Sequence, residues 1–386
     1  MRRRDLLRLG GFGLAAGATL LTACGGSGTP TPTPASATTP VATSPTPPGA
    51  AATPTAAPAA TATVVSGTPT AGTGTTGGTL TIYSGRSKSL IGPLLDRIGQ
   101  ELGLDVRVRY GDTAELATAI LEEGPRSPAD LFFGQDAGAL GALAKEGRLI
   151  ELPTELLDRV PERYRSKQGL WVGISGRVRT VVYNTERVRS DEIPTSIVDF
   201  AGNERWRERL GWAPTNGSFQ AFVTALRRMR GDEAARRWLE GIKGLGTRPF
   251  PNNASIVQAT IKGEIEAGFV NHYYLMRERA QAGRPLPAEN HFYTNGDPGG
   301  LVNVAGIGIL ASSRARDLAL RFADYLLSEP AQRYFSEQTF EYPLLDSVAA
   351  HPDLPPLASL NPPALDLSEL DDLRGTLAML QEVGLL

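Results

Sequence analysis

From Thr79 onward the apolar positions follow two rhythms in turn. Leu80-Thr81-Ile82-Tyr83 is predicted as a short strand, and Leu90 to Leu102 repeats its apolar residues at the spacing of one helix face. Val106-Arg107-Val108-Arg109-Tyr110 alternates strictly, as a second strand should. Ala114 to Glu123 reads as a helix, Leu131-Phe132-Phe133 as a strand and Ala137 to Glu146 as a helix. Strands and helices alternating at this spacing predict βαβ units and a mostly parallel sheet. Trp171 to Ile174 and Thr180 to Tyr183 are predicted as two adjacent strands. Helices follow at Phe219 to Met229, Glu233 to Ile242 and Ala254 to Lys262. A strand at Ala267 to Val270 runs straight into Asn271-His272-Tyr273-Tyr274, where a helix should start. Val302 to Leu310 is an apolar strand, and Arg314 to Leu327 a helix. The class is therefore α/β, with no internal repeat.

The pattern before Thr79 is different. Arg2, Arg3 and Arg4 precede an apolar run from Leu6 to Leu21, which Leu21-Thr22-Ala23-Cys24 closes with small residues. That run is too short and too rich in glycine for a good membrane span, and its layout is that of a secretion signal. With Cys24 at its end it resembles a bacterial lipoprotein signal, so the cysteine is expected to be the lipidated first residue of the mature chain. The run Arg3-Arg4-Asp5-Leu6-Leu7 also resembles a twin-arginine signal, and both that route and the general secretory route stay open. Residues 25–78 contain Thr, Pro, Ala, Gly, Ser and a few Val, with no charged or aromatic residue. Such a segment buries too little apolar surface to offset its ordering entropy, which predicts a disordered tether. At ~3 Å per residue it reaches well over ~100 Å when extended.

Composition narrows the function. The 386 residues carry 39 Lys+Arg against 41 Asp+Glu, a net charge of −2, so nothing electrostatic favours nucleic acid as partner. A single cysteine rules out an internal disulfide or a cysteine-built zinc site. The three histidines, His272, His291 and His351, show no H-E-x-x-H spacing. Gly173-Ile174-Ser175-Gly176 lacks the spacing of a nucleophile elbow, and no phosphate-binding glycine loop follows the first strand. The expectation is a binding protein and not an enzyme.

Tyr273 and Tyr274 stand where a strand ends and a helix starts, the place at which open α/β sheets hold ligands. Two phenol oxygens converging there suit a hard trivalent cation, which displaces the proton that a phenol otherwise keeps to pH ~10. Taken alone, such a pair is more readily one core and one surface residue. Pro214-Thr215-Asn216-Gly217-Ser218-Phe219 opens the helix that follows and is a natural anion seat, with Asn216 or Ser218 as cap. An ordinary capped helix is the plainer reading. Arg86, Arg177 and Arg179 could add positive charge.

Five segments together resemble the bacterial periplasmic ferric-iron-binding proteins. They are T-I-Y-S-G-R (Thr81 to Arg86), R-Y-G-D-T-A-E-L (Arg109 to Leu116), S-P-A-D-L-F-F-G-Q-D-A-G-A-L (Ser127 to Leu140), W-V-G-I-S-G-R-V-R (Trp171 to Arg179) and G-F-V-N-H-Y-Y (Gly268 to Tyr274). The resemblance runs from about Thr79 to the end. It implies a two-lobe, type II periplasmic-binding-protein clamp with hinge strands. Lobe 1 is expected from 79–172 with 300–345, and lobe 2 from 173–299 with 346–386, after the signal at 1–24 and the linker at 25–78. It also implies that Tyr273 and Tyr274 bind Fe³⁺, that Asn216, Gly217 and Ser218 hold a synergistic anion such as carbonate or phosphate, and that Asn253 and Asn271 assist. Where some members place a histidine and a carboxylate, this chain has Ser87 and Gln135, and where others have a third tyrosine it has Asn216. Ser87 and Gln135, with Arg86 and Arg179, are therefore supplementary candidates only. The implied role is that of a monomeric lipoprotein outside the cytoplasmic membrane, passing ferric iron to an ABC-type permease. The alternative keeps the fold and binds a free anion or small organic solute.

Overall fold

The computed structural model describes residues 77–386. Cys24, the signal segment and all but the last two residues of the 25–78 linker lie outside the described residues. The strands are β1 (Thr79–Ser84), β2 (Asp105–Tyr110), β3 (Leu131–Gly134), β4 (Val172–Asn184), β5 (Leu210–Trp212), β6 (Arg248–Pro249), β7 (Ala267–Asn271), β8 (Ala288–His291), β9 (Val302–Ile309) and β10 (Tyr342–Pro343). The α-helices are α1 (Lys88–Leu102), α2 (Thr113–Glu123), α3 (Ala137–Lys145), α4 (Thr154–Leu157), α5 (Gly217–Arg230), α6 (Asp232–Gly244), α7 (Asn253–Ile261), α8 (Tyr273–Ala282), α9 (Arg316–Leu326), α10 (Glu329–Thr339) and α11 (Leu373–Glu382).

Burial follows position in the sheet. β2 pairs only with β1 and alternates between exposed and half-buried positions, as an edge strand should. β3, β4, β7 and β9 are buried at every residue, so their sequences do not alternate between apolar and polar positions. The strand order is β2-β1-β3-β9-β4-β7-β5-β6, with β10 and β8 also pairing with β4. β1 pairs in parallel with β2 and β3, and β5 in parallel with β6 and β7. β9 runs antiparallel between β3 and β4.

The two short strands expected at Trp171–Ile174 and Thr180–Tyr183 are one. β4 runs 13 residues without a break. Its first half, to Val178, pairs with β9 and β10, and its second half, from Arg179, with β7 and β8. The intervening Gly176-Arg177-Val178-Arg179 lacks a hydrophobic run but has ladder partners throughout, so tertiary pairing overrides local propensity. β4 thus joins two sheets, each with its own core. Leu80, Ile82, Phe132, Val304 and Phe322 lie in the larger core, and Phe200, Trp206, Trp212, Phe222 and Trp238 in the second. The 346–386 segment, expected with the second lobe, divides. Leu354, Leu360, Leu367 and Leu370 join the first core, while Met379, Leu380 and Val383 join the second. The reason is the route of the chain, which crosses α3 before α11 reaches α5.

Candidate metal centre and anion seat

β7 ends at Asn271 and α8 begins at Tyr273, so the tyrosine pair is fixed by a strand–helix junction. Gly268 in β7 is required there, because a side chain would strike Ile256 of α7. His272 ties the junction down. Its Nδ1 accepts the N–H of Val178 at 3.1 Å, and its Nε2 donates to the carbonyl of Phe340 at 2.8 Å. These bonds require the neutral ring, and burial lowers its pKa to about 4. His272 is therefore a structural brace with both nitrogens engaged.

Tyr273 is 1% exposed and Tyr274 partly exposed. Their rings stack, with centroids 4.2 Å apart at 28°. Neighbours on a helix normally point about 100° apart, but at the first turn the two side chains lean together. Burial first, and then the neighbouring Tyr274, holds the Tyr273 phenol well above its ordinary pKa, while Arg86 and Arg177 oppose that rise. The phenol is neutral until a cation strong enough to displace its proton arrives.

A charged cluster surrounds this pair. Arg86, which follows β1, forms a buried ion pair with Glu341, whose carboxylate also accepts from the Ser175 hydroxyl. Arg177 is 1% exposed, and none of its three guanidinium nitrogens has a partner among the described residues. Its electrostatic neighbours are Arg86, Tyr273, Glu341 and Asp136, and burial lowers its pKa. Arg179 lies over the Phe219 and Phe222 rings and donates to the Phe269 carbonyl at 3.0 Å. Burial lowers its pKa to about 9, against the pull of Tyr274. Asp136 caps α3 through Oδ1, which accepts from Ala139 N–H at 3.1 Å, while its buried Oδ2 has no partner among the described residues. Burial raises its pKa to about 6, with Arg177 opposing. Asp136 and Glu341 were not singled out by the sequence. The first sits beside Gln135 in the F-F-G-Q-D run, a signal that was available; Glu341, distant in sequence, had none.

The expected anion residues do come together. Asn216 Oδ1 accepts from Ser218 N–H at 3.2 Å, from the Ser218 hydroxyl at 2.6 Å and from Asn253 Nδ2 at 3.0 Å. Asn253 Oδ1 in turn accepts the N–H of Asn271 at 3.1 Å. Gly217, first residue of α5, faces Thr113 at the start of α2 and Asp136, which caps α3. Ser87 is exposed, with its hydroxyl 3.4 Å from that of Ser89. Gln135 is buried, and its backbone N–H donates to Thr113 Oγ1. Among the described residues no group of three or more His, Cys, Asp or Glu could hold a metal ion.

Residues 126–368 match the profile of a bacterial extracellular solute-binding protein family. The chain is 31% identical over 312 residues to the major ferric iron-binding protein of Neisseria meningitidis serogroup B (strain ATCC BAA-335 / MC58), covering 79% of this chain and 93% of that one. It superposes on iron-bound HitA from Pseudomonas aeruginosa with a TM-score of 0.76 at 33% identity, covering 79% of this chain and 99% of the other. The Trichodesmium protein IdiA (FutA), solved in complex with iron and citrate ligands, gives 0.67 at 27% identity, covering 80% and 100%.

Proposed function

The chain belongs to the bacterial extracellular solute-binding proteins, among the ferric iron-binding members, and from that premise we propose that it captures ferric iron with a synergistic anion for an ABC-type importer. The observation that carries this reading is the stacked Tyr273–Tyr274 pair at the β7–α8 junction, beside a buried cluster of arginines. Two phenolates against Fe³⁺ leave one positive charge, and hard cations fill their remaining positions with oxygen donors. Carbonate or phosphate supplies such oxygens. Asn216, Gly217, Ser218, Asn253 and Asn271 are its expected carriers, supplemented by Arg86, Arg179, Ser87 and Gln135.

The protein would act as a carrier without turnover. Its lobes are the two halves built on the two sheets, with β4 as a shared hinge strand, and closure is a rigid-body movement about it. Lipidation of Cys24 would hold it as a monomer at the outer face of the cytoplasmic membrane, the 25–78 segment giving it reach to the permease. The second reading, a free anion or small organic solute as cargo, is favoured by the unpartnered nitrogens of Arg177.

The test is a ferric titration followed by the visible phenolate-to-iron band. Wild type should colour on loading and Tyr273→Phe should lose the band. Colourless wild type that still binds anions would favour the second reading.

A further inference from the structure

The chain passes between its two halves at places far apart in sequence. One is β4 at Val178–Arg179, where the Arg179 N–H also donates to the Leu301 carbonyl at 2.9 Å as the chain returns into β9. Another lies in the C-terminal segment. Leu367 and Leu370, in the short helical turn Leu367–Asp371, are buried in the first core, and Leu373 at the start of α11 packs against that core. Thr376 is 0% exposed, and its hydroxyl meets that of Thr224 in α5 at 2.7 Å. Met379, Leu380 and Val383 then lie in the second core. From Leu373 to Thr376 the passage takes less than one helical turn, ~5 Å of rise.

Both sides of this passage give it a fixed seat. Gly138 and Gly141, three apart, share one face of α3. A Cβ on the first would come within 2.8 Å of the Leu370 carbonyl oxygen, and one on the second within 3.1 Å of Asp371 Cβ. Larger residues at either position would push the turn off α3. On the α5 side, Arg227 donates to Asp372 Oδ2 at 2.9 Å and to Thr376 Oγ1 at 3.0 Å. Arg228 donates to Asp371 Oδ1 at 3.0 Å and to the Glu369 carbonyl at 2.9 Å. Lys145 of α3 lies 3.5 Å from the other Asp371 oxygen, so one carboxylate is shared between the halves. Exposed ion pairs are weak singly, so the buried leucines hold the seat and the pairs orient it.

The seat also lies near the first crossing. Ala137 opens α3 and donates its N–H to Asn303 Oδ1 at 3.2 Å, and Asn303 is the ladder partner of Arg177 in β4. Gly141 is about one turn further on, ~6 Å along α3. A rigid body held at two points turns only about the line through them. Beside the passage, α2 and α11 face one another across a groove of about 460 Å³, whose walls include Thr118, Leu121, Glu122, Arg374 and Leu377. That groove gives α11 room to tilt.

Resting on β4 as the hinge strand, and not on the nature of the cargo, we propose that Leu367 to Thr376 is a second pivot. The halves then turn about one axis, from β4 to the seat between α3 and α5, without twisting or sliding. The starts of α5 and α3, which approach at Gly217 and Asp136, thereby return to the same register at every closure.

Spin-label distances on the ligand-free full chain test this. In a Cys24→Ala background, Lys88→Cys with Lys262→Cys, and separately Glu115→Cys with Glu233→Cys, put one exposed label on each half. Both distance distributions should be narrow. Two glycines inserted between Asp371 and Asp372 add ~7 Å of chain and should broaden both by several ångströms. The same insertion after Gly283, in the exposed loop between α8 and β8, should change neither. Unchanged widths in the first insertion would overturn the proposal, as would equal broadening in both. Should the first insertion fail to fold, Arg227→Ala with Arg228→Ala removes the bonds to α5 without touching either core, and unaltered widths there would overturn it too. No iron is added, so failure here leaves the ferric reading standing, and a chain that never colours with iron leaves this result intact.

Discussion

His272 and Asp136 are buried, titratable and displaced in opposite senses. The folded value of His272 drops from 6.5 to about 4, so its contribution is present above pH ~6.5 and is lost as the pH falls through ~4. The folded value of Asp136 rises from 3.8 to about 6, so its contribution is present below pH ~4 and is lost as the pH rises through ~6. Each displacement corresponds to about 3 kcal/mol, and between pH ~4 and ~6 the two oppose. The single variants should therefore tilt stability in opposite directions relative to wild type. Asp136→Asn should make unfolding free energy rise more steeply with pH across that window, and His272→Gln should make it fall. His272→Gln should also cost about 2–4 kcal/mol at neutral pH, because the Val178 N–H and the Phe340 carbonyl lose their partner. Denaturant titrations at a series of pH values read both effects, and parallel curves for all three proteins would refute the pairing.

Between elements, Gly217 makes a close approach that joins the two halves. A Cβ there would come within 2.9 Å of Asp136 Oδ2 and 3.3 Å of Thr113 Cβ, so α5 meets the α2 and α3 starts with no space for a methyl group. Gly217→Ala should weaken iron binding by about tenfold while changing the stability of the iron-free protein by less than about 1.5 kcal/mol, since a small opening relieves the clash. A calorimetric melt and the ferric titration together check this. Equal losses in both would point to a packing defect within α5 alone. β4 carries a related lesson. Its length came from pairing with β9 and β10 in one half and β7 and β8 in the other, which no local pattern encodes.

For the whole molecule, closure about β4 should register as a smaller radius of gyration when iron and anion are added. Solution scattering curves that superimpose with and without ligand would remove β4 as a hinge. The C-terminal segment bears on the amplitude of that motion. Arg227 and Arg228 of α5 bond to Asp372 and Asp371, and Lys145 of α3 pairs with Asp371, so one strap touches both halves. Export is a separate matter. Cys24→Ala should leave iron binding intact and move the protein from the membrane fraction to the soluble one, and a variant still in the membrane would exclude lipidation as the anchor.

The sequence by itself determined the α/β class, the run of elements from β1 to α3, the helices α5 to α7, and the meeting of Tyr273 and Tyr274 at a strand–helix junction. Those features follow from local periodicity and from residue types that can bind a hard cation. It also named Asn216, Ser218, Asn253 and Asn271, which the fold joins in one hydrogen-bond network. Only the tertiary structure decided that β4 is a single strand, that His272 is a brace and that Arg86 pairs with Glu341. It alone left Arg177 buried without an acceptor among the described residues, and turned Asn216 into the acceptor of its own helix start. The physical reason is common to all of these. Each depends on which distant group shares a desolvated space, and neither hydrophobic period nor residue type carries that information along the chain.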